Sequence, residues 1–149
     1  NDQLHAVDGL VTITNFQDGE HPEATLDMTP AFNGLLKSAK RSFRKDSPFS
    51  LMVEDQLEIS DDTQVITWQL ITTSDVELIN GGALLKQDNK SLKIENLSHP
   101  DLSMSVVSLY PAPLELDRQI KGLKRVELRI PAWTIKDRET QILIRLTSI

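Results

Sequence analysis

The side chains able to move protons or hold metals are few and scattered: three histidines, one tyrosine and no cysteine in 149 residues. Acid-base catalysis needs a base and an acid converging on one reacting centre. Tyr110 stands before Pro111 with no histidine near it in sequence. His5 alternates with Leu4 and Ala6 and is expected to face solvent or a neighbouring module, while His21 lies in the turn 19–22 and His99 precedes Pro100. No pair of these histidines has the i, i+4 or hairpin spacing of zinc ligands, so no metal is expected. Glycoside hydrolysis needs two carboxyl groups facing each other across a cleft, but Glu54 and Asp55 are adjacent and project to opposite faces of a strand. Asp61-Asp62 reads as a turn. Nucleophile-elbow, phosphate-loop and calcium-loop motifs are absent, and no cofactor is expected.

Charge offers more. The formal net charge is −6, which argues against nucleic acid as a partner, since such binding needs an excess of lysine and arginine. One local run is nevertheless basic: Lys37, Lys40, Arg41, Arg44 and Lys45. On a strand, Lys40 and Arg44 face one way while Lys37, Arg41 and Lys45 face the other. One reading is an edge strand guarded by lysines against aggregation, with one buried arginine. The other is contact with an anionic glycan through Lys40 and Arg44. Trp133, after Pro131 near a loop, is the matching candidate for stacking on a sugar, whereas Trp68 sits in strand context and is assigned to the core.

These side chains need elements to hold them. Alternation through Phe49, Leu51, Val53, Asp55, Leu57 and Ile59 puts one acid among five apolar residues on a single face. Upstream, Ala39, Arg41 and Phe43 share a face, and a turn at Asp46-Ser47-Pro48 joins the two strands as a hairpin. Pairing Phe43 with Leu51 sets Arg41 opposite Val53 and diagonal to Asp55. Diagonal neighbours lie roughly 7 to 8 Å apart, within the span of a guanidinium side chain. An inward Arg41–Asp55 ion pair is therefore predicted.

The rest of the chain is also β-patterned. Strands are expected over residues 3–6, 10–16, 24–28, 35–45, 49–59, 64–72, 76–79, 83–86, 91–96, 104–109, 125–130 and 141–146. Residues 35–43 also fit helical spacing, but β candidates on both sides favour strand. Turn signals at Asp18-Gly19, Asn80-Gly81-Gly82 and Asp88-Asn89 imply antiparallel connections. The fold class is thus all-β, an antiparallel two-sheet sandwich of about 10–12 strands. Residues 1–149 are read as one domain, with a long connection from Tyr110 to Lys124 before two final strands return to the same body. Apolar runs fall far short of the roughly 18–20 residues that span a bilayer, so no membrane span is expected. The chain starts at Asn1, with no signal peptide visible, and is taken to be a piece of something longer.

The order of short segments adds a resemblance. ATLDMTPAF, SAKRSFRK, LMVEDQLEI, TWQLITT and KRVELRI follow one another as in the C-terminal β-sandwich region of heparinase II/III-like polysaccharide lyases, which this chain resembles over most of its length. The pieces that carry it are Leu26 to Pro30, Arg41, Val53 with Asp55, Trp68-Gln69-Leu70 and Lys124-Arg125. Phe32 stands where these lyases often have tyrosine. The resemblance implies β-elimination on uronic-acid-containing acidic polysaccharide, and a secreted or periplasmic location. It places the base and acid in an N-terminal α-helical domain and in a strand upstream, so that no catalytic residue is expected in this chain. Lyases of this kind can bind a metal in the sandwich, but no ligand residue carries over. The alternative is a stand-alone carbohydrate-binding or adhesive β-sandwich module.

Overall fold

The computed structural model describes residues 10–114 and 116–149. Eleven strands occur among them, all paired antiparallel: β1 (Thr12–Gln17), β2 (Glu23–Asp27), β3 (Leu36–Ser47), β4 (Ser50–Ile59), β5 (Val65–Thr72), β6 (Asp75–Ile79), β7 (Gly82–Gln87), β8 (Lys90–Asn96), β9 (Ser105–Ser108), β10 (Lys124–Pro131) and β11 (Glu139–Ser148). The strand expected at residues 3–6, with His5, lies outside the described residues. Eight strands form one sheet in the order β1-β2-β3-β4-β11-β8-β7-β6, and three form the other in the order β5-β10-β9. This is the expected sandwich.

Inward residues at every second position build the core. Val53, Leu57 and Ile59 of β4 meet Ile142 and Ile144 of β11, and Ile94 of β8 lies beyond them; across the gap stand Ile66 and Trp68 of β5 with Val126, Leu128 and Ile130 of β10. The two strands after the long 110–123 connection close both sheets. β10 is the centre of the small sheet, and β11 slots between β4 and β8. Burial of this apolar surface, at roughly 25 cal/mol per Å², is what holds the last strands so far from their sequence neighbours.

Two hairpins show why glycine and asparagine stand where they do. At Asp88-Asn89 both central residues have positive φ, 49° and 62°, the pattern that suits the twist of two-residue hairpins. At Asn80-Gly81 the turn uses Gly81 at φ 72°, whereas Gly82 begins β7 in ordinary φ. Gly82 serves a different need, since a Cβ there would lie 1.9 Å from the Ile94 carbonyl oxygen.

Three sequence expectations change. β3 is interior, bonded to β2 and β4, so its cations do not guard an edge. The β3–β4 hairpin turns at Pro48-Phe49, with Ser47 opposite Ser50 and a bulge between Lys45 and Ser47. The displaced turn and the bulge together slide the register by two from the expected pairing, placing Arg41 directly opposite Asp55 and Phe43 opposite Val53 and leaving Phe49 at the tip, 69% exposed. A second bulge between Leu36 and Ser38 turns Lys37 to the outer face, 3.7 Å from Glu58.

Candidate functional site

The eight-stranded sheet is far wider than the three strands laid over it. At strand spacings near 4.8 Å, about five strand widths of its inner face need another cover or stay open. Where β5 ends the small sheet, a groove of about 1320 Å³ opens between that edge and the inner face of β3 and β4. Among the described residues β5 pairs only with β10, so its other edge is free.

The floor of the groove includes Arg41 and Asp55. Arg41 Nε donates to Asp55 Oδ1 at 2.6 Å and Nη2 donates to Oδ2 at 2.7 Å, a two-pronged contact matched to the planar guanidinium. The Asp55 side chain is 4% exposed and that of Arg41 28%. The hydrogen bonds to Asp55 hold the Arg41 guanidinium above its ordinary pKa, against the opposing effect of burial. In register with this pair lie Leu26 on one side and Ile142 on the other. The row is apolar except for the matched ions.

Short polar contacts fix the 28–36 segment beside the groove. Thr29 donates its backbone N–H to Asp27 Oδ1 at 2.9 Å and accepts from the Ala39 N–H at 3.0 Å, which anchors the single 3-10 turn Thr29–Phe32 against β3. The hydrogen bonds from the Thr29 side chain and backbone hold the half-buried Asp27 carboxyl below the usual carboxylate range. Just after that turn, Ser60 Oγ and Thr63 Oγ1 both donate to the Leu35 carbonyl, at 3.1 and 2.5 Å, fastening the β4–β5 loop.

The outer face of the small sheet carries a second charged group that sequence reasoning missed. On β10, Val126, Leu128 and Ile130 face the core, so Arg125, Glu127 and Arg129 share the other face, opposite Ile71, Gln69 and Thr67 of β5. The groove wraps the free edge and takes in these residues as well as Trp68 from the inner face. Glu127 is buried, with its side chain 4% exposed, between the two arginines. Its Oε2 forms an ion pair with Arg125 Nε at 2.9 Å, and Arg129 Nη1 is 3.8 Å from Oε1. The signal was present as Arg-x-Glu-x-Arg alternating with Val-x-Leu-x-Ile, three charges on one strand face.

The other sequence candidates do not gather at this groove. Lys40 and Arg44 lie on the outer face of β3, and Arg44 shares a small depression with Glu23 and Glu54, so carboxylates already flank it. Trp133 stands in the 3-10 turn Ala132–Thr134 with 86% exposure. Trp68 is buried in the core, its Nε1 without a hydrogen-bond partner. His99 belongs to the 97–104 loop, where Nδ1 is 2.8 Å from Ser98 Oγ and burial lowers its pKa. Among the described residues, no three His, Asp or Glu side chains are placed to hold a metal, and no helix is long and apolar enough to cross a membrane.

What the fold and groove define is an antiparallel β-sandwich with an open, ion-lined trough. No known family profile matches the sequence, and no curated protein matches it. Solved structures do. The chain is similar to a mutant heparan sulfate lyase, HepC, from Pedobacter heparinus, with a TM-score of 0.65 at 14% identity, covering 93% of this chain and 21% of that one. It is also similar to a heparinase III gene product solved with methylated lysines, with a TM-score of 0.64 at 13% identity and the same coverage of both chains. At such identities the likeness is one of fold: this chain has the fold of a part, about one-fifth, of heparinase-type lyases.

Proposed function

We propose that residues 1–149 form the C-terminal β-sandwich domain of a heparinase II/III-like polysaccharide lyase, which cleaves uronic-acid-containing polysaccharide by β-elimination outside the cell or in the periplasm. The carrying observation is that 93% of this chain overlays on about one-fifth of each of two such lyases. In this reading an N-terminal α-helical domain and an upstream strand supply the groups that take the proton next to the sugar carboxylate and protonate the leaving oxygen. The sandwich supplies a docking face and part of the substrate trough. Ile13 and Phe16 of β1 support the docking role: they continue the inner-face rows of Leu26 and Ala24 and are 64% and 71% exposed. Lys40, Arg44 and Trp133 are the glycan contacts this reading assigns outside the groove.

The test is degradation of heparan-type acidic polysaccharide, followed by the rise in ultraviolet absorbance of the unsaturated product. The longer protein produces it and the 149-residue chain alone does not; elimination by the chain alone overturns the reading. Exposure of the Trp133 indole is what favours the second reading, a stand-alone carbohydrate-binding or adhesive module. Strong, specific retention of the isolated chain on a glycan array, lost in Trp133→Ala, selects it.

A further inference from the structure

We infer that the free edge of β5 is a strand-addition site, where an extended segment of the longer polypeptide pairs as a fourth strand of the small sheet, in the groove over β3 and β4. That a longer polypeptide exists rests on the lyase reading above; the site rests on the backbone. In an antiparallel pair, successive residues turn their N–H and C=O alternately toward the partner and away from it. The Ala132 N–H donates to the Gln64 carbonyl at 2.9 Å, in line with the β5–β10 register, so Ile66, Trp68, Leu70 and Thr72 bond to β10. Val65, Thr67, Gln69 and Ile71 therefore turn both backbone groups to the open edge. Natural sheets guard such edges with charge, proline, bulges or brevity. The other sheet edges among the described strands do so: β1 is bulged between Ile13 and Asn15, β6 carries Asp75 and Glu77, and β9 is four residues long. β5 is eight residues long, pairs with β10 without a register shift, and holds neither a charge nor a proline.

The groove gives a second, independent sign of an occupant. Trp68 lines it, is 5% exposed, and has an indole N–H without a hydrogen-bond partner. A donor buried to this depth ordinarily has one, and an oxygen of an inserted segment supplies it. Met28, Leu36, Leu57 and the self-neutralised Arg41–Asp55 pair line the side that an added strand turns inward, while Thr67 and Gln69 flank its outer side. The occupant thus alternates apolar residues facing in with polar residues facing out. A second copy of this chain does not fit. Twofold pairing of two β5 edges keeps both large sheets on one side of the joined small sheets, and each large sheet runs on past its own β5, so the two collide. A strand tethered to the same polypeptide does fit: in the solved lyases this fold is about one-fifth of the chain, and a tether raises the effective concentration of the strand. One added strand takes about 4.8 Å of sheet width, so the trough moves outward toward β2 and stays open.

The measurement is amide hydrogen exchange along β5, resolved by residue, in the 149-residue chain and in the longer protein. In the chain alone, Ile66, Trp68, Leu70 and Thr72 are expected to be protected, with Val65, Thr67, Gln69 and Ile71 exchanging at least about tenfold faster. In the longer protein the second set slows by at least about tenfold. Gln69→Pro removes an N–H that faces the open edge, a position where a strand tolerates proline. It leaves Ile66 and Trp68 protected in the chain alone and abolishes the added protection of Thr67 and Ile71 in the longer protein. Slow exchange at Ile142 and Leu128 certifies that each variant is folded. Fast exchange at Val65, Thr67, Gln69 and Ile71 in the longer protein overturns the inference. So does protection of these four already present in the chain alone, whether it fades on dilution, which marks a second copy, or on deletion of residues 1–9. Failure of the longer protein to yield the ultraviolet-absorbing product sinks the lyase reading instead, and the exchange pattern then stands or falls by itself.

Discussion

Replacing Arg41 by Met keeps most of the aliphatic stem and removes the two donors that Asp55 depends on. Each donor makes a charge-assisted hydrogen bond, at 2.6 and 2.7 Å, of a kind worth about 1.5–3 kcal/mol. Breaking a buried ion pair from one side typically costs about 3–5 kcal/mol, because the surviving charge keeps its desolvation without its partner. Here the arginine side is 28% exposed, so water reaches part of the vacated space and the loss falls near the lower end, about 3 kcal/mol. Urea unfolding of Arg41→Met should show that loss as a lower midpoint with an unchanged slope. The double variant Arg41→Met/Asp55→Leu should recover most of it. Asp55 is opposite Ile142 and flanked on its own face by Val53 and Leu57, a setting in which an apolar pair can replace the ionic one at little cost. A single-variant loss below about 1 kcal/mol would refute the claim that Arg41 neutralises a buried acid. So would a double variant no more stable than the single one, because the cost would then lie in packing and not in an orphaned charge.

Two further predictions concern the far arm of the sandwich and its loop. Gly82→Ala forces a Cβ onto the Ile94 carbonyl, 1.9 Å away, and the β7–β8 ladder must separate; a loss of about 1–3 kcal/mol or more is expected in thermal unfolding, and a neutral result would show that the two strands part easily. His99 has a lowered pKa because burial disfavours its charged form, so the unfolded chain binds the extra proton first as pH falls. Its contribution to stability is complete above its ordinary value of 6.5 and is lost as pH drops through that value toward the folded one. The fall in urea midpoint between pH 7.5 and 5.5 should therefore be smaller in His99→Gln than in the parent chain, and equal falls would dismiss the linkage.

Much of this architecture could be read without coordinates because alternation is a strong local signal. Val53, Asp55, Leu57 and Ile59 are buried as their spacing demands, and Arg41 meets Asp55. The route to that pair could not be read. Parity survives a two-residue slip, so a displaced turn together with a bulge at the 45–47 corner changed the partner from diagonal to direct while Arg41 and Asp55 kept their faces. Lys37 fared otherwise, since a single inserted residue near the start of β3 reverses the face of whatever lies in the bulge. Nor does a sequence say which strand ends a sheet. The basic residues of β3 looked like edge protection, yet β3 is interior, and the free edge among the described strands that matters for the groove belongs to β5.

That same ignorance of sheet order hid the groove. Arg125, Glu127 and Arg129 lie on the face of β10 turned away from the core, where charged residues ordinarily mean a solvated surface, and period-two reasoning alone gives them no role. They become a candidate site only because the small sheet stops at β5, one strand away, so that its outer face and the inner face of β3 and β4 line one space. The two ion groups there then divide by how their charges are met. Arg41 and Asp55 satisfy each other through two hydrogen bonds and fix the floor. Glu127, equally buried, is held between two arginines, 2.9 Å from Arg125 Nε and 3.8 Å from Arg129 Nη1, so this group carries one positive charge more than the floor does.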